Sequence, residues 1–255
     1  MRKPIIAANW KLHKTRKEAV EFLNSFREKV KYVSDVEMAL GPTFTSLDVV
    51  VEGTQGTGIK VCAQNVYFED EGAFTGEVSP EMLAEVGTDY VIVGHSERRQ
   101  IFGETDREIN KKVHAIFDHG MKPILCIGET EEQRADGETE SVLRNQLKSD
   151  LRGLTEAQAS EMIVAYEPIW AIGTGESASP EDAQAGCEFS RQQVREIVGD
   201  EAGDNVRLQY GGSIKPHNAE DLMSQPDIDG GLIGSASLDP ESFAEIISIT
   251  EELYQ

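Results

Sequence analysis

Short apolar runs recur along the chain at wide, similar intervals. They are Ile5 to Ala8, Val36 to Leu40, Ile59 to Ala63, Tyr90 to Val93, Pro123 to Ile127, Met162 to Tyr166, Val206 to Tyr210 and Gly231 to Ile233. Each is nearly continuous rather than alternating, as strands buried on both faces should be. Amphipathic segments lie between them. In Lys17 to Val30, Val20, Leu23, Phe26 and Val30 repeat at helical spacing among charged residues. Asp106 to Phe117 and Pro180 to Val198 behave likewise. Ser179 before Pro180 suits an N-cap followed by proline at the first helical position, and Asp239-Pro240 opens the last helix in the same way. Strand alternating with helix predicts a parallel sheet. Eight such units in 255 residues fit a closed (β/α)8 barrel. An open doubly wound sheet is the alternative, weakened because no GxGxxG turn follows the first strand. No Pro/Gly/Ser-rich linker divides the chain, so residues 1–255 read as one domain.

Composition narrows the partners. The chain has 24 Lys and Arg against 46 Asp and Glu, a net charge of −22. Such a surface repels nucleic acid, which is bound by neutralising its phosphates. It reads as a solvated acidic exterior. No apolar run approaches the ~20 residues that span a bilayer. The opening MRKPIIAANWK has too short an apolar segment for a signal peptide. The expected location is therefore the cytoplasm, away from membranes. The three cysteines, Cys62, Cys126 and Cys187, are far apart with no CxxC pair. Cys62 and Cys126 sit in apolar runs and read as small buried hydrophobes in a reducing compartment.

In a barrel of this kind the chemistry gathers at the C-terminal strand ends. Strand one ends in Asn9-Trp10-Lys11, strand three in Gln64-Asn65, and strand four in Gly94-His95-Ser96-Glu97. Strand six ends in Glu167, strand seven in Gly211-Gly212-Ser213, and strand eight in Gly234-Ser235. Singly, such a Glu is usually solvated or paired, such a His a structural hydrogen-bonding group, and such a Lys plain surface. Together they bring one Lys, one His and one Glu to one mouth. The two glycine turns let backbone approach a ligand, and their N–H groups suit an anion such as phosphate. The segment AYEPIWAIGTG is apolar where loops are usually polar, so it reads as a cover over Glu167. Phe68 to Gly76 is long for a strand-to-helix connection.

The segments AANWK, AQNVYFEDEGAFTGEVSPEML, VGHSERR, CIGET, AYEPIWAIGTG and YGGSI occur in this order along the chain. With them the sequence resembles the triosephosphate isomerase family over essentially its whole length. The resemblance implies interconversion of dihydroxyacetone phosphate and glyceraldehyde 3-phosphate, in glycolysis and gluconeogenesis, with no cofactor and no metal. It implies Glu167 as the base, His95 as a neutral hydrogen-bond donor to the enediolate, and Lys11 as the offsetting charge. Asn9 would bond a substrate oxygen, and Glu97 would pair with Lys11 or relay to His95. Ser96 would begin the helix that follows His95. Ser213, Gly234, Ser235 and Gly173 would hold phosphate. Pro168 to Trp170 and Gly173 to Gly175 would be lid hinges, with Ala171-Ile172 as the tip. It also implies a homodimer in which Thr75 reaches the neighbour's site. Ser235 departs from the paired glycines common in the family, and Leu12 stands where Met or Cys is frequent, a position expected to affect dimer packing. Three other readings stay open. An aldolase would want a lysine deep in a mid-barrel strand, and none is expected there. A metal epimerase would want clustered ligands around His95. A barrel without activity could merely bind a phosphate ligand.

Overall fold

A computed structural model describes residues 2–171 and 178–255. The described residues form eight strands: β1 (Ile5–Asn9), β2 (Glu37–Gly41), β3 (Ile59–Ala63), β4 (Tyr90–Val93), β5 (Lys122–Ile127), β6 (Ile163–Tyr166), β7 (Arg207–Tyr210) and β8 (Gly230–Ile233). Each pairs in parallel with the next, and β8 returns to β1 through Ile5 opposite Gly230. The barrel is closed, which removes the open-sheet alternative. Every apolar run became a strand; β3 and β4 match their runs to the residue, and no end of the others is displaced by more than one residue. At β6 the displacement has a visible cause, since Met162 closes the preceding short helix Glu156–Glu161 in extended conformation.

Helices pack around the barrel. The first, Arg16–Val30, starts at Thr15, whose side chain accepts from Glu18 N while Glu18 reaches back to Thr15 N. Its buried face is Ala19, Phe22, Leu23, Phe26 and Val30. Val20, expected on that face, is 37% exposed. It sits about 100° round the helix from Ala19, at the margin of the stripe. Phe26 stacks on Phe243 of the last helix at 5.3 Å, and truncating Phe26 to Ala should cost about 3 kcal/mol or more. Ser179 and Asp239 cap their helices as expected, accepting from Asp182 N and Ser242 N.

The core has two shells. One lies between strands and helices. The other fills the barrel with Ile5, Ala7, Ala39, Ile92, Ile124, Ile163, Ala165 and their neighbours, including Cys62 and Cys126. All three cysteines are free and buried, and burial pushes each thiol upward, so they stay neutral. One expectation needs correction. Lys60 does lie within β3, but its side chain points outward and pairs with Asp89 at 2.8 Å. β5 likewise begins with Lys122, which pairs with Glu161 at 2.8 Å, so both strand lysines have partially exposed side chains and neither is buried in the barrel for a Schiff base. Among the described residues, no helix is long and apolar enough to cross a membrane.

Candidate active site

Glu167 follows β6 directly. Its N–H donates to Ile127 O at 2.7 Å, and Gly211 N donates to Tyr166 O at 2.7 Å, so neighbours on both sides grip this backbone. The approach is close enough to exclude side chains. A Cβ on Gly128 would lie 1.8 Å from Glu167 O, and one on Gly211 would lie 2.7 Å from Glu167 Cγ. Gly212 leaves room for the Tyr210 hydroxyl, 2.1 Å from where its Cβ would be. The sequence suggested that Gly211 and Gly212 admit a ligand. The structure gives both a prior steric duty to the protein itself.

The Glu167 carboxylate is 2% exposed as a residue. Its Oε2 accepts from Ser96 N at 3.0 Å, and its Oε1 lies 3.1 Å from His95 Nε2. His95 caps the helix Ser96–Ile101, and its Nδ1 accepts from Glu97 N at 3.2 Å. An acceptor nitrogen carries no proton, so the network assigns the hydrogen to Nε2. His95 therefore presents a neutral N–H donor to its surroundings. The Glu97 backbone occupies Nδ1, while the Glu97 carboxylate pairs with Lys11 Nζ at 2.8 Å. Behind His95, Arg99 donates to Gly94 O at 2.7 Å and to Asp150 at 2.7 Å. Burial pushes the Asp150 carboxyl up to about 7, against the pull of the Arg99 guanidinium.

The backbone of Lys11 is left-handed, with φ of 51°. Such a conformation costs a non-glycine residue about 1 kcal/mol, and it persists where neighbours over-determine it. Here Asn9 Oδ1 accepts from Lys11 N at 3.0 Å. The Gln64 amide donates to Lys11 O at 3.0 Å and to Gly41 O at 2.8 Å. Gln64 was visible only as a strand end, and its grip on Lys11 could not be read from spacing.

These groups face one cavity of about 260 Å³ at the C-terminal end of the barrel. Asn9, Lys11, His95, Glu167, Ser213, Gly234 and Ser235 all line it. Ser96 and Glu97 stand one bond behind. Thr75 is exposed on the Phe68 to Gly76 connection and does not line this cavity. That connection packs on itself, with Tyr67 stacked on Phe68 at 4.3 Å and against Phe74 at 4.5 Å. Gly173, together with Ile172, Thr174 and Gly175, lies outside the described residues. Of the segment before it, Ile169–Ala171 forms one tight turn. Trp170 Nε1 donates to Glu129 Oε1 at 2.9 Å, and the Tyr166 hydroxyl donates to the same oxygen at 3.1 Å. Burial raises the proton affinity of Glu129. Ala171 is fully buried and so is no exposed tip. Glu129 was missed as a partner of this turn; its only signal was the carboxylate in CIGET. His13 and Lys215 also line the cavity and were not singled out.

The geometry joins a carboxylate, a neutral imidazole, a lysine and two backbone turns around a pocket of small-molecule size. The profile of the triosephosphate isomerase family matches residues 4–250. The chain belongs to the triosephosphate isomerase family. It is 51% identical over 248 residues to triosephosphate isomerase of Lactiplantibacillus plantarum, covering 97% of this chain and 98% of that one. The triosephosphate isomerase of Carboxydothermus hydrogenoformans is 51% identical over 247 residues, with 97% and 98% covered. That of Acetivibrio thermocellus is 51% identical over 245 residues, with 96% and 97% covered. Membership in this family covers the whole barrel, including every residue that faces the cavity.

Proposed function

We propose that Glu167, His95 and Lys11 carry out the family's reaction in this chain, the interconversion of dihydroxyacetone phosphate and D-glyceraldehyde 3-phosphate in glycolysis and gluconeogenesis. The observation that carries the reading is the Glu167–His95 contact, 3.1 Å between Oε1 and Nε2, at the edge of the cavity. Glu167 accepts from the His95 and Ser96 N–H groups. A substrate oxygen placed in the cavity takes over the His95 donor and frees the carboxylate. Glu167 then removes a proton from C1 of dihydroxyacetone phosphate. The C–H electron pair becomes the enediolate double bond, and negative charge moves to the C2 oxygen. The Nε2–H of His95 and the ammonium of Lys11 meet that charge. Glu167 returns its proton to C2, a proton passes between the oxygens at His95, and the aldehyde forms at C1.

Asn9 holds Lys11 in place and bonds a substrate oxygen. Ser213, Gly234 and Ser235 wall the part of the cavity assigned to phosphate, and Gly173 completes it. Apolar Ile169 to Ile172 keeps water from an enediolate that would otherwise lose phosphate. No cofactor or metal enters this scheme. The surrounding chain is one domain of 255 residues acting in the cytoplasm. Leu12 is 93% exposed and Phe74 is 40% exposed, on the loops that would meet a second copy. These apolar side chains support a homodimer with Thr75 completing the neighbour's site. A fully active monomer in sedimentation would exclude that arrangement. The decisive experiment for the chemistry is a coupled isomerase assay on wild type and Glu167→Gln. Equal rates would remove Glu167 as the base.

A further inference from the structure

Among the described residues, two that are not glycine hold a left-handed φ, and both lie in the loop after β1: Lys11 at 51° and Lys14 at 68°. Lys11 has a place in the chemistry. Lys14 has none yet, and it does not line the cavity. Glycine would take this conformation without strain. A lysine there needs a return from its side chain.

That side chain reaches the neighbouring loop, the one that follows β8. Lys14 Nζ donates to Leu238 O at 2.7 Å. Leu238 ends the tight turn Ser235–Leu238, and Gly234, Ser235 and Leu238 all line the cavity. The same ammonium sits 4.9 Å from the Phe22 ring centroid and 5.4 Å from that of Trp10. Those two rings meet edge to face at 4.9 Å and form a fixed floor beneath it. Partial burial lowers the proton affinity of Lys14, while Glu18 and Asp239 nearby work the other way. The near end of the turn is held separately, by Ser237 N and Oγ, which donate to Gly234 O at 2.9 and 2.7 Å. Lys14 holds the far end to the loop that carries Lys11.

We infer that Lys14 is a positioning residue for the reaction: its bond to Leu238 sets the Gly234–Leu238 turn, the phosphate wall of the cavity, against the Lys11 loop. The inference rests on the phosphate reading of that wall. The turn's place fixes where a substrate phosphate sits, while Lys14 touches no reacting atom. Substrates with phosphate therefore need Lys14, and substrates without it do not.

The test uses the full-length protein and three variants. K14M keeps the aliphatic stem over Trp10 and Phe22 but loses the ammonium. K14G also relieves the backbone. K14R keeps a charged donor. Competitive inhibition by inorganic phosphate and kcat/KM for glyceraldehyde 3-phosphate are measured beside kcat/KM for glyceraldehyde, which has no phosphate. In K14M and K14G, phosphate inhibition and kcat/KM for the phosphorylated substrate should each weaken about fivefold, the size of one lost hydrogen bond. Glyceraldehyde turnover should hold, and K14R should stay near wild type. Unchanged phosphate inhibition in both K14M and K14G overturns the inference. So does a parallel fall with glyceraldehyde, which would mark Lys14 as general scaffolding. If inorganic phosphate fails to compete in the wild type, the phosphate reading itself falls and takes the inference with it, independently of any variant.

Discussion

The two ends of the barrel carry similar side chains with different consequences. At the N-terminal end, Glu37, Tyr90 and Arg207 begin β2, β4 and β7 and close on one another. Arg207 donates to the Tyr90 hydroxyl at 3.0 Å and pairs with Glu37 at 3.3 Å, while Tyr90 also bonds Glu37. At the C-terminal end, Glu167 and His95 also bond each other, but their contact faces a cavity. The bottom cluster spends its hydrogen bonds on the protein. The top cluster lines a cavity of about 260 Å³. The difference between the two carboxylates lies in which strand end each occupies and whether space lies beyond it.

The contrast breaks most sharply at the top. Glu167→Gln should lower kcat by about a thousandfold, the scale of a lost general base, with the unfolding midpoint largely kept. A thermal melt run beside the coupled assay checks both halves. His95→Gln should cost about a hundredfold in kcat, the lower range for one oxyanion donor. A change confined to KM would instead make His95 a binding group.

At the bottom the sign reverses. Arg207→Met should destabilise the fold by about 2 kcal/mol, below the penalty for a fully buried pair because Glu37 and Arg207 keep some solvent contact. Turnover per folded molecule should stay at the wild-type value, as measured by denaturant titration together with the assay. A drop in kcat would show that the two ends are coupled.

A pH dependence tests the buried pair behind His95. The folded Asp150 titrates near 7 against an ordinary 3.8, so between those values the folded chain holds more protons than the unfolded one. This contribution to stability is full below about 4 and is lost as pH rises towards 7. Asp150→Asn should flatten that part of the Tm against pH curve. An identical slope in wild type and variant would assign the titration elsewhere.

Much of this was legible beforehand. The eight apolar runs mapped onto eight strands because strands buried on both faces leave little room for polar residues. Seven of the expected site residues face the cavity because strand ends in a closed barrel have nowhere else to converge. The sequence was less clear where a residue's task is set by a contact far along the chain. Gly211 looked like a ligand-facing glycine; it does line the cavity, and it also makes room for Glu167. Ala171 looked like a loop tip and is buried. Gln64, Glu129 and Lys14 hold backbone or side-chain partners 53, 41 and 224 positions away, and no local pattern announces such bonds.

By itself, then, the sequence determined what local periodicity can encode: strands, helices, their caps, the barrel they close into, and the strand ends where chemistry collects. Only the tertiary structure decided which nitrogen of His95 accepts from Glu97 N, what fixes Lys11 in a left-handed backbone, and that Glu129 joins Trp170 to Tyr166. Periodicity reflects burial of one face, a local property. Hydrogen-bond partnership depends on which distant atoms folding brings within 3 Å or so, and that is settled only once the barrel has closed.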